Sequence, residues 1–314
     1  MVWIESGSFQ MGSDRHYADE APIHKTTVDG FWMSPVAVTN DMFAEFVSQT
    51  GYVTVAERPL KPSDFPGADP FLLVPGSLVF NMTKGPVDLK DMRNWWSYVP
   101  RANWKQPEGA GSDISSRGDH PVVQVAFEDA QAYAKWAGCD LPTEAEWEFA
   151  ARGGLDGADY VWGDTFKPDG KIMAKTWQGD FPWRNTARKN LHRTAPVGSY
   201  PSNGYGLFDM AGNVWQWTLD WYTSHHPKKE NGACCTMDNP RGVGIEQSYD
   251  PAQPNVKIPR KVVKGGSFLC APSYCRRYRP AARHAQMVDS GMSHIGFRCI
   301  KRPTKTGEED SSNE

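Results

Sequence analysis

The chain has 314 residues and a formal net charge of −3, from 34 basic and 37 acidic side chains. This balance argues against a general binder of nucleic acid, because neutralising a phosphate backbone needs an excess of positive charge. No run of residues approaches the roughly 18 apolar positions of a membrane-spanning helix. Residues 1–13 also lack the basic start and the apolar stretch of a secretory signal. We therefore expect no nucleic-acid partner and no membrane partner.

Glycine, proline and tryptophan set this composition apart. The chain holds 29 Gly, 24 Pro and 13 Trp, and Gly with Pro make up about 17 % of it against a usual ~12 %. Because Gly and Pro interrupt helices and strands, the composition predicts a loop-rich domain held together by large flat side chains. It excludes a helical bundle or a coiled coil. We expect one domain over residues 1–303 and a disordered polar tail over residues 304–314.

The predicted elements are short and widely spaced. In chain order they are strands 7–12 and 25–33, helix 40–49, strand 122–126, helices 127–137 and 144–152, and strands 260–268 and 294–301. In helix 144–152, Thr143 and Glu146 have the spacing of a capping box, and Gly153 can end the helix. Segments 52–118 and 155–255 are predicted to be irregular, and loops of this length usually carry function. The pattern predicts an α+β domain with little regular secondary structure.

Cys270 and Cys275 are the sharpest chemical feature among six cysteines. Five residues of extended chain span roughly 17 Å, and Pro272 opposes a helix, so the two sulfurs can meet only if residues 271–274 form a turn. Two converging thiolates suit the soft ion Cu(I) better than zinc, which prefers four ligands. Two alternatives stay open at this point: a redox-active dithiol, or two unrelated buried thiols.

The segment after Cys275 is rich in arginine. It contains Arg276, Arg277, Arg279 and Arg283, and nearby positive charge lowers the pKa of a thiol. The alternative is that these arginines pair with carboxylates of neighbouring loops. The eight histidines show no spacing typical of a metal site, and the pair Gly265-Gly266 predicts a bulge or a close backbone approach.

A glycine- and asparagine-rich segment, residues 203–217, offers many oxygen atoms. Hard cations such as Ca²⁺ bind oxygen-rich loops of this kind. Trp215 and Trp217 alternate and therefore share one face of a strand. From the pattern alone, core packing is favoured over metal binding.

Several motifs together resemble the formylglycine-generating enzymes, also called sulfatase-modifying factors. The resemblance covers most of the chain. It includes the segments at Gly7–Gly12 (GSFQMG), Leu141–Glu148 (LPTEAEWE), Asn203–Leu207 (NGYGL), Lys264–Ser267 (KGGS), Cys270 to Arg283, and Gly296–Cys299 (GFRC). The resemblance implies a fold of the C-type-lectin-like class. It implies an oxidoreductase that converts the cysteine of a sulfatase Cys-x-Pro-x-Arg segment to Cα-formylglycine with O₂ and a thiol reductant.

The resemblance also implies roles for three residues. Cys270 and Cys275 hold Cu(I), with Cys275 as the more permanent ligand and the substrate thiol as a third sulfur ligand. Ser267 matches a serine of the family's catalytic pocket and is expected to polarise a bound species. The alternative function is a non-catalytic module that binds a peptide or protein on the same fold.

The family's calcium sites are only partly kept. The resemblance implies one Ca²⁺ held by the side chains of Asp209 and Gln216 and the carbonyls of Gly212 and Val214. At the other site, Lys175 and Lys189 stand where relatives have Asn and Asp, so we expect a Lys ammonium to replace the ion.

The structural cysteines of secretory relatives are absent, and this absence agrees with a reducing, cytoplasmic setting. We expect Cys299 to be a free core thiol, and Cys234-Cys235 receives no role. We also expect a monomer.

Overall fold

The computed structural model describes residues 1–60, 62, 69, 73–187, 192–226 and 236–303. Within them the helices are α1 (Asn40–Thr50), α2 (Phe127–Trp136) and α3 (Glu144–Arg152), and none is long and apolar enough to cross a membrane. The strands are β1 (Val2–Ile4), β2 (Gly7–Met11), β3 (His24–Val28), β4 (Phe31–Met33), β5 (Gly76–Phe80), β6 (Trp96–Pro100), β7 (Trp215–Trp221), β8 (Met237–Asp238), β9 (Arg260–Lys264), β10 (Arg283–Met287), β11 (Ile295–Gly296) and β12 (Ile300–Lys301). The predicted tail over 304–314 lies outside the described residues.

The described strands form four small sheets. Their strand orders are β1-β4-β12, β10-β9-β7-β11, β2-β3-β8 and β5-β6. In the four-stranded sheet β9 is antiparallel to both of its neighbours, and Lys264 at its end pairs with Arg283 at the start of β10. The chain between these two residues carries both cysteines of interest. It is therefore an excursion that starts at the end of β9 and returns to the sheet at the start of β10.

The helix predictions are confirmed to within a residue or two. The Thr39 hydroxyl accepts the Met42 N–H at the start of α1, and Gly51 ends that helix with a φ of 67°. At the start of α3 the Thr143 hydroxyl accepts the Glu146 N–H at 3.1 Å, and the Glu146 carboxylate accepts the Thr143 N–H at 2.7 Å. The capping box read from the sequence therefore exists as predicted.

Several strand predictions are wrong in extent. Segment 25–33 is divided into β3 and β4, and segment 294–301 into β11 and β12. Segment 122–126 is not a strand: its apolar residues are buried, but Gln124 has a φ of 62°, which a strand ladder does not accommodate. Segment 260–268 ends as a strand at Lys264. The segments predicted to be mostly irregular contain four strands, β5, β6, β7 and β8, and β7 carries the alternating Trp215 and Trp217.

Helix α3 anchors the end of the β9-β10 pair, from which the cysteine segment departs. Glu148 is fully buried, and its carboxylate accepts from Lys264 Nζ at 2.9 Å, Arg152 Nη2 at 2.7 Å and the Gly12 N–H at 2.9 Å. One turn earlier on the same helix, the carboxylate of Glu144 lies 2.8 Å from Arg283 Nη2. Two carboxylates of one helix therefore hold both ends of the excursion.

We expect Glu148→Gln to lower the free energy of unfolding by about 3–5 kcal/mol, because it leaves Lys264 and Arg152 buried without their counter-charge. The matched control is Glu128→Gln, which removes a carboxylate from the exposed pair with Arg58 and should cost about 0–1 kcal/mol. Urea unfolding of the two variants measures the difference. Equal losses would show that the buried carboxylate does not anchor the sheet.

Candidate active site

The chain leaves β9 through two glycines, Gly265 and Gly266. Their φ angles are 93° and 71°, in the left-handed region that favours glycine. A Cβ on Gly266 would lie only 3.0 Å from Arg277 O and Tyr278 N, so a larger residue would push the returning chain away. The predicted close backbone approach is confirmed, and it places the start and the end of the cysteine segment side by side.

Cys270 and Cys275 lie at the two ends of a tight turn. The N–H groups of Tyr274 and Cys275 donate to Ala271 O at 3.1 and 2.8 Å, and the Cys270 N–H donates to Ser267 O at 3.0 Å. The turn brings the two sulfur atoms to 3.0 Å, a contact between free thiols rather than the ~2.05 Å of a disulfide bond. The structure thus brings the sulfurs together, as the turn prediction requires.

The two thiols differ in acidity. Cys270 is only 2 % exposed, and burial, with the hydrogen bond to Cys275, raises its pKa well above the usual value. The pKa of Cys275 is lowered despite burial, first by the S–H that Cys270 donates to it, then by the backbone N–H of Arg277, and then by the charges of Arg277 and Arg279. The charge of Arg277 favours the thiolate of both cysteines, but at Cys270 burial outweighs it.

The arginines beyond Cys275 pair with two carboxylates from the loop before β3. Arg277 Nη1 lies 2.8 Å from Asp19 Oδ2, and the buried guanidinium of Arg279 binds both oxygens of Glu20. Arg279 Nε also donates to Arg276 O at 2.9 Å. The ion pairs left open by the sequence are confirmed, and they fix the backbone directly after the second cysteine.

A cavity of about 560 Å³ is lined by both cysteines, within the size range of small-ligand sites. Much of its wall is aromatic: Tyr274 stacks on Phe181 with ring centroids 4.4 Å apart and meets the edge of Trp95 at 5.5 Å. The polar groups on the wall include Ser267, His284, His294 and the ion pair of Asp250 with Arg260. The cavity is partly open to solvent, so a bound molecule could reach the wall that carries the sulfurs.

Ser267 lies beside Cys270 and is fully buried. Its N–H lies 3.4 Å from Cys270 Sγ, its hydroxyl accepts the Leu269 N–H at 3.2 Å, and the same hydroxyl lies 3.1 Å from Nδ1 of His294. Sequence reasoning missed His294, because no spacing pattern connects it with the cysteine segment. Only the pairing of β11 with β7, which places the adjoining residue beside Trp215, brings it to the cavity.

The four residues predicted to bind calcium follow one another from the loop before β7 into its second residue; they are Asp209, Gly212, Val214 and Gln216. The Gln216 side-chain oxygen already accepts from Trp147 Nε1 at 2.8 Å and from Arg298 Nε at 2.7 Å. One oxygen of Asp209 is buried and has no hydrogen-bond partner among the described residues. Before its oxygen could bind an ion, Gln216 would have to release these two N–H donors, so the described contacts do not support the prediction. The calcium site stays a prediction.

The remaining predicted positions give two outcomes. Lys175 is buried, its carbonyl accepts the Asn213 N–H at 2.8 Å, and burial lowers the pKa of its ammonium to about 8. Its replacement of a calcium ion stays a prediction, and Lys189 lies outside the described residues.

Cys299 is a buried free thiol, as predicted, whereas Cys234-Cys235 lies outside the described residues.

We expect Cys270→Ala to raise the pKa of Cys275, because it removes the S–H that hydrogen-bonds to the Cys275 sulfur. Alkylation of Cys275 by iodoacetamide, followed by mass spectrometry over the pH range in which thiols ionise, should shift to higher pH. Cys270→Ser keeps an O–H donor and should shift less. An unchanged profile in Cys270→Ala would mean that the arginines alone set the reactivity of Cys275.

Comparisons with known proteins agree with this architecture. A protein from Mycobacterium tuberculosis named formylglycine-generating enzyme is 53 % identical over 304 residues, which cover 96 % of this chain and 98 % of the relative. A protein of the same name from Thermomonospora curvata is 44 % identical and is covered to 93 %, with 96 % of this chain. The solved structure of PvdO from Pseudomonas aeruginosa superposes with a TM-score of 0.59 at 23 % identity, covering 96 % of this chain and 93 % of that one, which shows a shared fold.

The family model described as the sulfatase-modifying factor enzyme 1-like domain matches residues 1–303. With the short mixed sheets and few helices described above, these matches confirm the predicted α+β, C-type-lectin-like fold of sulfatase-modifying factors. The chain belongs to the sulfatase-modifying factor family, among whose members are the formylglycine-generating enzymes.

Proposed function

We propose that this chain converts the cysteine of a Cys-x-Pro-x-Arg segment in a sulfatase polypeptide to Cα-formylglycine, with O₂ as oxidant and a thiol as reductant. The observation that carries the proposal is the pair of Cys270 and Cys275, with sulfurs 3.0 Å apart on the wall of a cavity. The named enzymes that are similar over nearly the whole chain support it. A module that only binds peptides has no use for this pair.

The overall reaction balances with one O₂ and two reducing thiols. The β-carbon of the substrate cysteine exchanges its C–S bond and one C–H bond for a C=O bond, which releases two electrons. The two thiols release two more as they join in a disulfide. These four electrons reduce O₂ to the new carbonyl oxygen and one water, and the substrate sulfur leaves as hydrogen sulfide.

Cu(I) fits the two sulfurs, because soft thiolate donors select this ion. Cys275 would hold it more permanently, since its pKa is the lowered one of the two. Cys270 would join once it gives up its proton. When bound, the ion supplies the one-electron chemistry with O₂ that amino-acid side chains lack. The substrate cysteine would present its own sulfur to the same pair.

The surrounding residues prepare the sulfurs for this role. The turn hydrogen bonds to Ala271 O keep the sulfurs together, and Arg277 and Arg279 favour the thiolate of Cys275. The aromatic wall around Tyr274 gives the uncharged part of a peptide an apolar surface. We also propose that an acidic side chain of this protein pairs with the arginine of the substrate's Cys-x-Pro-x-Arg motif. Asp250 is a carboxylate of the cavity wall, but it is already paired with Arg260.

A synthetic peptide with Cys-x-Pro-x-Arg, incubated with the protein, Cu(I), a thiol and air, should show the mass loss of a thiol-to-aldehyde conversion. Cys270→Ser and Cys275→Ser should each reduce the rate by more than the ~10–100-fold that the loss of an outer-shell partner of a metal costs. Cys299→Ser is the matched control, because it removes a buried thiol outside the cavity. It should keep the rate within about twofold.

Two outcomes would contradict the proposal. A peptide that binds but keeps its thiol would favour the non-catalytic binding module. Conversion that persists in Cys275→Ser would place the chemistry elsewhere in the molecule.

A further inference from the structure

We propose that His294, and not Ser267, is the side chain that hydrogen-bonds the substrate peptide in the cysteine cavity. It would donate its Nε2–H to a backbone carbonyl beside the substrate cysteine, and Ser267 would act as the positioning residue that holds the ring. The identity of the peptide rests on the proposed function. The hydrogen-bond arrangement rests on the described side chains alone.

The hydroxyl of Ser267 is already committed within the protein. It belongs to a side chain with no exposed surface, and its oxygen accepts the Leu269 N–H at 3.2 Å. A serine hydroxyl has a single proton to donate, and Nδ1 of His294 lies 3.1 Å from the oxygen. A bound molecule would have to break this contact before it could reach the hydroxyl.

We assign the serine as the donor in this contact, because the serine proton then has an acceptor in Nδ1. If the serine proton points to Nδ1, then Nδ1 is the acceptor and the neutral ring carries its proton on Nε2. Burial keeps the ring neutral, because it lowers the pKa of His294 to about 3. The ring is held by Trp96, whose centroid lies 4.7 Å away, and the His294 carbonyl accepts the Trp215 N–H at 2.9 Å.

The Nε2 side of the His294 ring is the side that we assign to the cavity. His294 lines the cavity and is half-buried, and its contact with Ser267 is made through Nδ1, so Nε2 is the ring nitrogen left for a bound molecule. In this arrangement a bound molecule would supply the acceptor for the Nε2–H. A peptide bound in an extended form brings a carbonyl oxygen next to its cysteine, and this oxygen suits a neutral N–H donor.

Three substitutions of His294 test the roles of its Nδ1 and Nε2 atoms separately. In His294→Gln the amide nitrogen reaches the place of Nε2 and keeps a donor in the cavity. His294→Asn reaches only the place of Nδ1, and His294→Phe keeps the ring shape without a donor. Loss of one hydrogen bond is worth about 1 kcal/mol. We therefore expect KM for the peptide to rise about 5- to 10-fold in His294→Asn and His294→Phe, with kcat within about twofold. His294→Gln should stay near the wild type.

Two readouts do not depend on turnover. ¹⁵N NMR of the histidine side chains should show the Nε2–H tautomer for His294, and this signature should be lost in Ser267→Ala. A peptide with Ser in place of its Cys should bind about 5- to 10-fold more weakly to His294→Phe than to His294→Gln.

The outcomes distinguish the two proposals. If the wild type binds the serine peptide in this His294-dependent way but converts no cysteine, the proposed function fails and the role of His294 stands. An Nδ1–H tautomer, equal binding by the Phe and Gln variants, or a loss confined to kcat would each overturn the role of His294.

Discussion

The cysteine segment depends on two carboxylates of one buried helix. Glu148 and Glu144, one turn apart on α3, hold Lys264 and Arg283, and these two cations face each other across the antiparallel pair of β9 and β10. Everything between them is irregular chain. Because both ends of that chain are fixed by buried ion pairs, which are costly to break on one side only, the segment can hold an unusual conformation without a helix or strand of its own.

Within this segment, two glycines and one turn bring the two thiols together. Gly265 and Gly266 let the outgoing and returning chain approach closely, and the turn at Ala271 brings together two sulfurs that extended chain would keep apart. The environment then gives the two thiols different pKa values. Burial raises the pKa of Cys270, whereas the S–H that Cys270 donates lowers the pKa of Cys275. An unequal pair combines a ready thiolate with a second sulfur that joins by losing a proton. This combination suits a soft-ion site more than a purely structural one.

The sequence predicted local features well and distant ones poorly. Helix α3, its capping box and the turn between the cysteines follow from residues close in the chain, and each is confirmed. The prediction of a strand over the apolar segment 122–126 is wrong, because burial and strand formation give similar patterns over five residues. The role of Gln216 could not be read from the sequence, because its donors, Trp147 and Arg298, come from distant segments. His294 was missed for the same reason, since its contact with Ser267 crosses 27 positions.

We propose that Cys270 and Cys275 together bind a soft monovalent ion. Copper K-edge X-ray absorption on the Cu(I)-loaded full chain tests it most directly, because the first coordination shell reports the donor atoms themselves. The account predicts a shell of two sulfur atoms in the wild type, which falls to one sulfur in Cys270→Ser and stays unchanged in Cys299→Ser. A shell of nitrogen or oxygen donors, or two sulfurs that persist in Cys270→Ser, would contradict it.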